Sequence, residues 1–199
     1  MILNQNVSFS DLPSDHQNAF LQKNGSFPTK ELIRPGLKMY KFNSDTNVSY
    51  IDRATGKPAM SPWWSPYEPY KHDAGWMAKL NMARHFRISV REWGRLTSAV
   101  KEDWNSLAYL LDITLKDPVY GFFGGFAQME RITVYKDDKG NAKRDEMGNI
   151  MKATAKNRPD GEGVGRGSVN LPGGATQFYI PNLTPDLVYS WNVTSLANL

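Results

Sequence analysis

Residues 61–70 read Ser-Pro-Trp-Trp-Ser-Pro-Tyr-Glu-Pro-Tyr, which places four large aromatic rings and three prolines in ten positions. Proline fixes φ and has no backbone N–H to donate. Such a run cannot continue as a long helix and is expected to lie outside the centre of a sheet. Rings of this size are costly to leave in water. Two placements satisfy them: a structural corner packed into the core, or the wall of a pocket for a flat ligand.

The segments around this run carry clearer periodicities. Upstream, residues 1–33 are polar with scattered apolar positions and read as an N-terminal arm with one short helix near 15–21. Pro35-Gly36 is a turn signal leading into a short strand over 37–42. A polar hairpin over 43–58 turns at 55–58. Downstream, Asp73 is placed to cap a helix whose stripe is Trp76, Leu80 and Ala83. A second helix opens with Ser89 and Glu92 in capping-box spacing. Its apolar stripe is expected to run through Trp93, Leu96, Val100, Trp104 and Leu107.

The pattern then changes to strands, over 107–115, 119–126 and 131–135, with 137–141 as a hairpin turn. Gly124-Gly125 suggests a bulge or a close backbone approach. A polar, glycine-rich stretch over 136–167 reads as a flexible excursion. Two last strands are expected over 175–181 and 187–194, and no repeat of fixed period is evident. Helices followed by strands on tight turns make an α+β fold: an antiparallel β core with two helices packed on it. Residues 34–199 form that single domain.

Composition narrows the function classes. The 199 residues include no cysteine, which excludes disulfides, thiolate nucleophiles and cysteine-ligated zinc. A formal charge of +4 is spread along the chain without a basic block, so no specific nucleic-acid footprint is expected. No apolar stretch is long enough for a membrane span, and the N-terminus lacks the pattern of a conventional signal peptide. The expected location is cytoplasmic, or inside a target cell after delivery by a specialised secretion system. His16, His72 and His85 show no metal-ligand spacing, and no metal site is expected. G-x-S-x-G is absent, and the glycine run 161–167 is not a phosphate loop. Gln128 and Glu130 would share a face of an extended segment, where a carboxylate can meet a sugar or a developing positive charge.

The order of these elements resembles the ADP-ribosyltransferase toxins and their NAD-cleaving relatives. Met39-Tyr40-Lys41-Phe42 is similar to the family's first strand, and Ser61-Pro62-Trp63-Trp64-Ser65 to its Ser-x-Ser segment. The stretch 107–126 is similar to the middle strands, and Gln177-Phe178-Tyr179-Ile180-Pro181 to the late strand. Lys41 stands where the family has arginine, and Gln177 where it has the catalytic glutamate. The resemblance implies a bacterial toxin or effector that binds NAD and acts as an ADP-ribosyltransferase or NAD glycohydrolase. Its partner would be a target protein or an inhibitor protein. It also implies roles: Trp63 and Trp64 bounding the nicotinamide; Arg34 or Lys41 on the diphosphate; Ser61 or Ser65 on the ribose; Glu130 or Gln177 at the reacting sugar, with Tyr40 counted among the NAD-binding residues. The alternative is a non-catalytic α+β interaction or structural module that docks through the Trp/Pro-rich segment. A sugar-binding platform is a further possibility.

Overall fold

The computed structural model describes residues 1–22, 27–102, 104–131, 137–139, 141–151 and 170–199. The expected strand over 131–135 is described only at Arg131, and the glycine run 161–167 lies outside the described residues. The chain forms an α+β fold around one seven-stranded, antiparallel sheet. In chain order its strands are β1 (Thr29–Ile33), β2 (Lys38–Asn43), β5 (Trp63–Pro66), β6 (Tyr109–Leu115), β7 (Val119–Gly125), β10 (Thr176–Tyr179) and β11 (Val188–Ser195). Two small pairs stand beside it: β3 (Ser49–Ile51) with β4 (Pro58–Met60), and β8 (Met129–Glu130) with β9 (Asn170–Leu171). Across the main sheet the order is β1, β7, β10, β5, β2, β6, β11.

That order puts the Trp/Pro-rich run in the middle, against the expectation that it avoids a central strand. The reason is where the prolines fall. Pro62 lies just before β5 and uses only its carbonyl, which accepts from the Ile180 amide at 2.8 Å. Pro66 is the last residue of β5, opposite Met39. Each neighbour pairs with only two residues of β5: Trp63 and Trp64 with β10, Ser65 and Pro66 with β2. A strand this short never asks a proline nitrogen for a ladder hydrogen bond.

Alternation of side chains gives the sheet two covered faces. One carries Met39, Trp64, Ile113, Phe123 and Phe178 into the larger core. The other carries Tyr40, Phe42, Phe122 and Tyr179, and is covered in two patches. Helices α2 (Gly75–His85) and α3 (Val90–Thr97) pack over Tyr40 and Phe42 with Trp76, Leu80 and Ala83. The first 22 residues, including α1 (Ser14–Asn18), lay Leu12 and Phe20 on Phe122 and Tyr179. Residues 1–33 are thus joined to the sheet: β1 is its edge strand, and Leu3 bridges Val119.

The helix starts follow the sequence. The Ser89 hydroxyl accepts from the Glu92 amide at 3.2 Å, and Asp73 Oδ1 accepts from the Gly75 amide at 2.7 Å. The end of α3 does not follow it. The stripe expected to continue to Leu107 stops at Thr97, and Ala99 turns the backbone with φ of +49°. The buried Arg95 guanidinium then donates to the carbonyls of Val100 and Asn105, at 2.8 and 2.9 Å. Trp104 is accordingly exposed rather than part of a core-facing helix.

Close approach also explains two glycines. A Cβ at Gly124 would sit 3.0 Å from the Phe20 ring, where the arm crosses β7. A Cβ at Gly94 would sit 2.4 Å from the ring of Phe42, which is itself enclosed by Tyr40 and Trp76. Gly94→Ala is therefore expected to destabilise the fold by about 1–3 kcal/mol through overpacking. Chemical denaturation measures this, and a change below ~0.5 kcal/mol would show that α3 can lift without penalty.

The described part of 136–151 contains two short turns of the same design. Asp137 Oδ1 accepts from the amides of Asn141 and Lys139, at 2.8 and 2.9 Å. Asp145 Oδ1 accepts from those of Asn149 and Met147, at 2.8 and 3.0 Å. The sequence repeats D-x-x-G-N eight positions apart, a period too short and too few in copies to announce itself as a repeat. These amides, Asn141 and Asn149 foremost, hold both carboxyls below the usual carboxylate range.

Candidate functional site

A cavity of about 680 Å³ lies where the arm, the sheet and the loop after α3 meet. Its floor comes from the face of β2, β5 and β10 that is shared between the two covering patches. Of the nine residues singled out in the sequence, seven line it: Tyr40, Lys41, Ser61, Trp63, Trp64, Ser65 and Gln177. Their meeting follows from the sheet order, since β5 has β10 on one side and β2 on the other. Gln177 is the register partner that continues from Phe178 opposite Trp64, and Tyr40 stands opposite Ser65.

The other two do not join them. Arg34 is exposed in the turn between β1 and β2 and is absent from the lining. Glu130, on β8, faces the ammonium of Lys101 at 3.7 Å. Its strand neighbours Gln128 and Met129 line the cavity; Glu130 does not.

The two indoles play different parts. Trp64 is 1% exposed and is a core ring, its Nε1 donating to the Ser61 carbonyl at 2.6 Å. Trp63 is half-buried and offers the more accessible ring. It is fixed edge-on by Tyr179 at 4.4 Å and His16 at 5.7 Å between centroids. The Tyr179 hydroxyl lies 2.7 Å from His16 Nδ1. Burial, with Asp15 nearby, raises the Tyr179 pKa, so this phenol stays protonated at neutral pH.

Gln177 is fully buried. Its Nε2 donates to the Ala19 carbonyl at 3.2 Å, while Oε1 has no hydrogen-bond partner among the described residues. A buried amide oxygen left unpaired costs about 1–3 kcal/mol, which a ligand N–H or O–H can recover. Ser65 is committed elsewhere, its hydroxyl donating to the Thr176 carbonyl at 2.9 Å.

Lys41 is the one lysine among the described lining residues, and alternation along β2 puts its side chain on the Met39 and Trp64 face. Its ammonium lies 5.8 Å from the Trp64 ring centroid, and it makes neither an ion pair nor a hydrogen bond among the described residues. Burial lowers its pKa to about 8, against a weaker opposing pull from Asp45. On the opposite face of β2, Tyr40 is pushed well above the ordinary phenol range, mainly by burial and then by the Asp73 carboxylate. Tyr40 is therefore a neutral donor, not a base.

Sequence reasoning missed the outer wall. Asp15, His16, Asn18 and Ala19 come from the arm, and Trp104 and Asn105 from the loop after α3. No spacing links them to residues 40–65. The one available signal was Trp104, a large ring that reads as core only if α3 runs on. Among the described residues no cluster of three or more metal-ligating side chains occurs, and no helix is long and apolar enough to cross a membrane. In comparisons with family models, curated proteins and solved structures, the chain matches none.

Proposed function

We propose that this cavity binds NAD, or a nucleotide of the same design. The observation that carries the reading is the convergence of Tyr40 and Lys41, Ser61 to Ser65, and Gln177 on one cavity. Its volume lies within the range of small-molecule sites, about 300–1,000 Å³. Trp63 and Trp104 supply rings for a planar base, Lys41 a cation for phosphate oxygens, and Gln177 an acceptor for a carboxamide or hydroxyl donor.

Transferase or glycohydrolase chemistry needs a carboxylate against the reacting sugar. Of the described lining residues only Asp15 carries one, and its side chain is 80% exposed, where water screens its charge. Glu130 is outside the lining and faces Lys101. The site is therefore better built to hold NAD than to cleave it. The docking alternative has less support, because Trp64, Ser65 and Pro66 are buried and a concave site lies beside them.

Titration with NAD, followed by tryptophan fluorescence, is expected to saturate, with no nicotinamide released above the uncatalysed rate. Trp63→Ala should weaken binding by about tenfold or more through loss of ring contact. Absence of saturation with the folded protein would refute the reading. Release of nicotinamide that Glu130→Gln abolishes would instead establish the catalytic form of it.

A further inference from the structure

Among the described residues two buried side-chain polar atoms have no hydrogen-bond partner, Trp93 Nε1 and Gln177 Oε1. Of the two residues only Gln177 belongs to the cavity lining. Its orientation is fixed. Nε2 donates to the Ala19 carbonyl at 3.2 Å, and because a carbonyl only accepts, the nitrogen is the end that faces it. The oxygen is the end left over. Ala19 lines the cavity as well, so the amide spans the junction of the sheet floor and the arm wall. Alternation along β10 puts Gln177 on the face of Tyr179, and Tyr179 stands opposite Trp63. Gln177 is therefore the diagonal neighbour of Trp63 on the floor, within reach of the edge of a ring laid against that indole. Other acceptors in the lining are already used: Asn105 Oδ1 takes the Leu107 amide at 2.8 Å, and the Ser61 hydroxyl takes the Trp63 amide at 3.4 Å. A buried acceptor is normally paired, and bulk water does not reach this one. The missing donor is left to a group that becomes buried with it.

We infer that Gln177 sets the specificity of the cavity: it selects a planar ring that carries an amino or carboxamide N–H at its edge, and rejects the same ring with an oxygen acceptor in that place. The inference rests on the nucleotide reading above and names the group of the nucleotide that is read. An N–H at the edge of a ring packed on Trp63 lies in the ring plane, on the side where Gln177 offers its oxygen. A carboxylate or keto oxygen there sets acceptor against acceptor where water does not intervene, and both stay unpaired. NAD carries such an N–H at two places, the carboxamide of its nicotinamide and the amine of its adenine.

Three nucleotides separate these two sources: NAD, its nicotinic acid analogue with a carboxylate for the carboxamide, and its hypoxanthine analogue with a keto oxygen for the adenine amine. Each is titrated into the full chain and followed by tryptophan fluorescence. One analogue is expected to bind at least about tenfold more weakly than NAD: the nicotinic acid form if nicotinamide occupies the cavity, the hypoxanthine form if adenine does. Gln177→Met, similar in length but without the acceptor, should bring that analogue to within about threefold of NAD. The Ala19 carbonyl also accepts from the Ala127 amide at 2.9 Å, so the arm keeps a tie to the body of the protein in this variant. Saturation by NAD with both analogues within about threefold of it would overturn this inference and leave the nucleotide reading standing. So would a preference of about tenfold that persists in folded Gln177→Met. No saturation by NAD would overturn both. The wild-type comparison decides the matter even where the variant does not fold.

Discussion

Replacing Asp73 with alanine is expected to lower the unfolding free energy by about 3–5 kcal/mol, the usual effect of breaking a buried ion pair on one side. Asp73 is 2% exposed at its side chain and serves three partners. It accepts from the Gly75 amide at 2.7 Å at the start of α2, from Lys79 at 2.7 Å one turn on, and from the Thr176 hydroxyl at the start of β10. Without it, the Lys79 ammonium remains largely buried with no counter-charge, and burial already presses its pKa down. The same carboxylate ties α2 to the strand that carries Gln177, so the cavity floor should loosen too. Urea denaturation measures the loss. A decrease under ~1 kcal/mol would mean that Lys79 reaches water once released.

The second large effect has the opposite sign. Lys41→Met is expected to make the protein more stable at pH 7 by about 1–3 kcal/mol while weakening anionic-ligand binding about tenfold or more. Folding lowers the Lys41 pKa to about 8 from the ordinary 10.5, so the folded state disfavours the charged amine. That destabilisation is present in full below pH 8 and is gone above pH 10.5. Between those values the unfolded chain binds more protons, and wild-type stability gains on the variant as pH rises. Ligand affinity runs the other way, because a phosphate needs the protonated amine and should bind less tightly above about pH 8. Denaturation of both proteins across pH 7–10.5 checks the first claim. A variant no more stable than the wild type at pH 7 would show that Lys41 is solvated after all.

The sequence reading reached Lys41 through an arginine it failed to match. In the structure Lys41 is half-buried and makes no ion pair or hydrogen bond among the described residues.

The parts of the fold that were legible are those whose causes are local. Ser89 with Glu92, and the spacing of Trp76, Leu80 and Ala83, act within one or two helical turns. The strands β2, β6, β7, β10 and β11 follow from short apolar or alternating runs. What was not legible depends on distant partners. The end of α3 carries neither glycine nor proline; it is held by Arg95 reaching forward to two carbonyls. The apolar spacing of Val100, Trp104 and Leu107 matches a helix by coincidence. The central place of β5 was hidden because proline counts say nothing of which two residues a neighbour will pair with. For the site, Tyr40, Lys41 and Ser61 to Ser65 came from the resemblance in the order of elements, whereas the arm residues Asp15 to Ala19 come to them through long-range contacts: Phe20 on Gly124, His16 on Tyr179 and the Ala19 carbonyl on Gln177. Glu130 lies outside the lining, its carboxylate facing Lys101, a long-range pairing that no local spacing announces.

The indole N–H resonances of the six tryptophans report most directly on whether these separated stretches form one binding site. Trp63 and Trp104 line the cavity, whereas Trp76 is packed under α2 and Trp191 is exposed on β11. With the protein labelled at these nitrogens, adding NAD should shift the signals of Trp63 and Trp104 together, on one saturation curve, and leave those of Trp76 and Trp191 in place. Shifts confined to Trp191, or no shift at any indole up to millimolar NAD, would contradict a nucleotide site in this cavity.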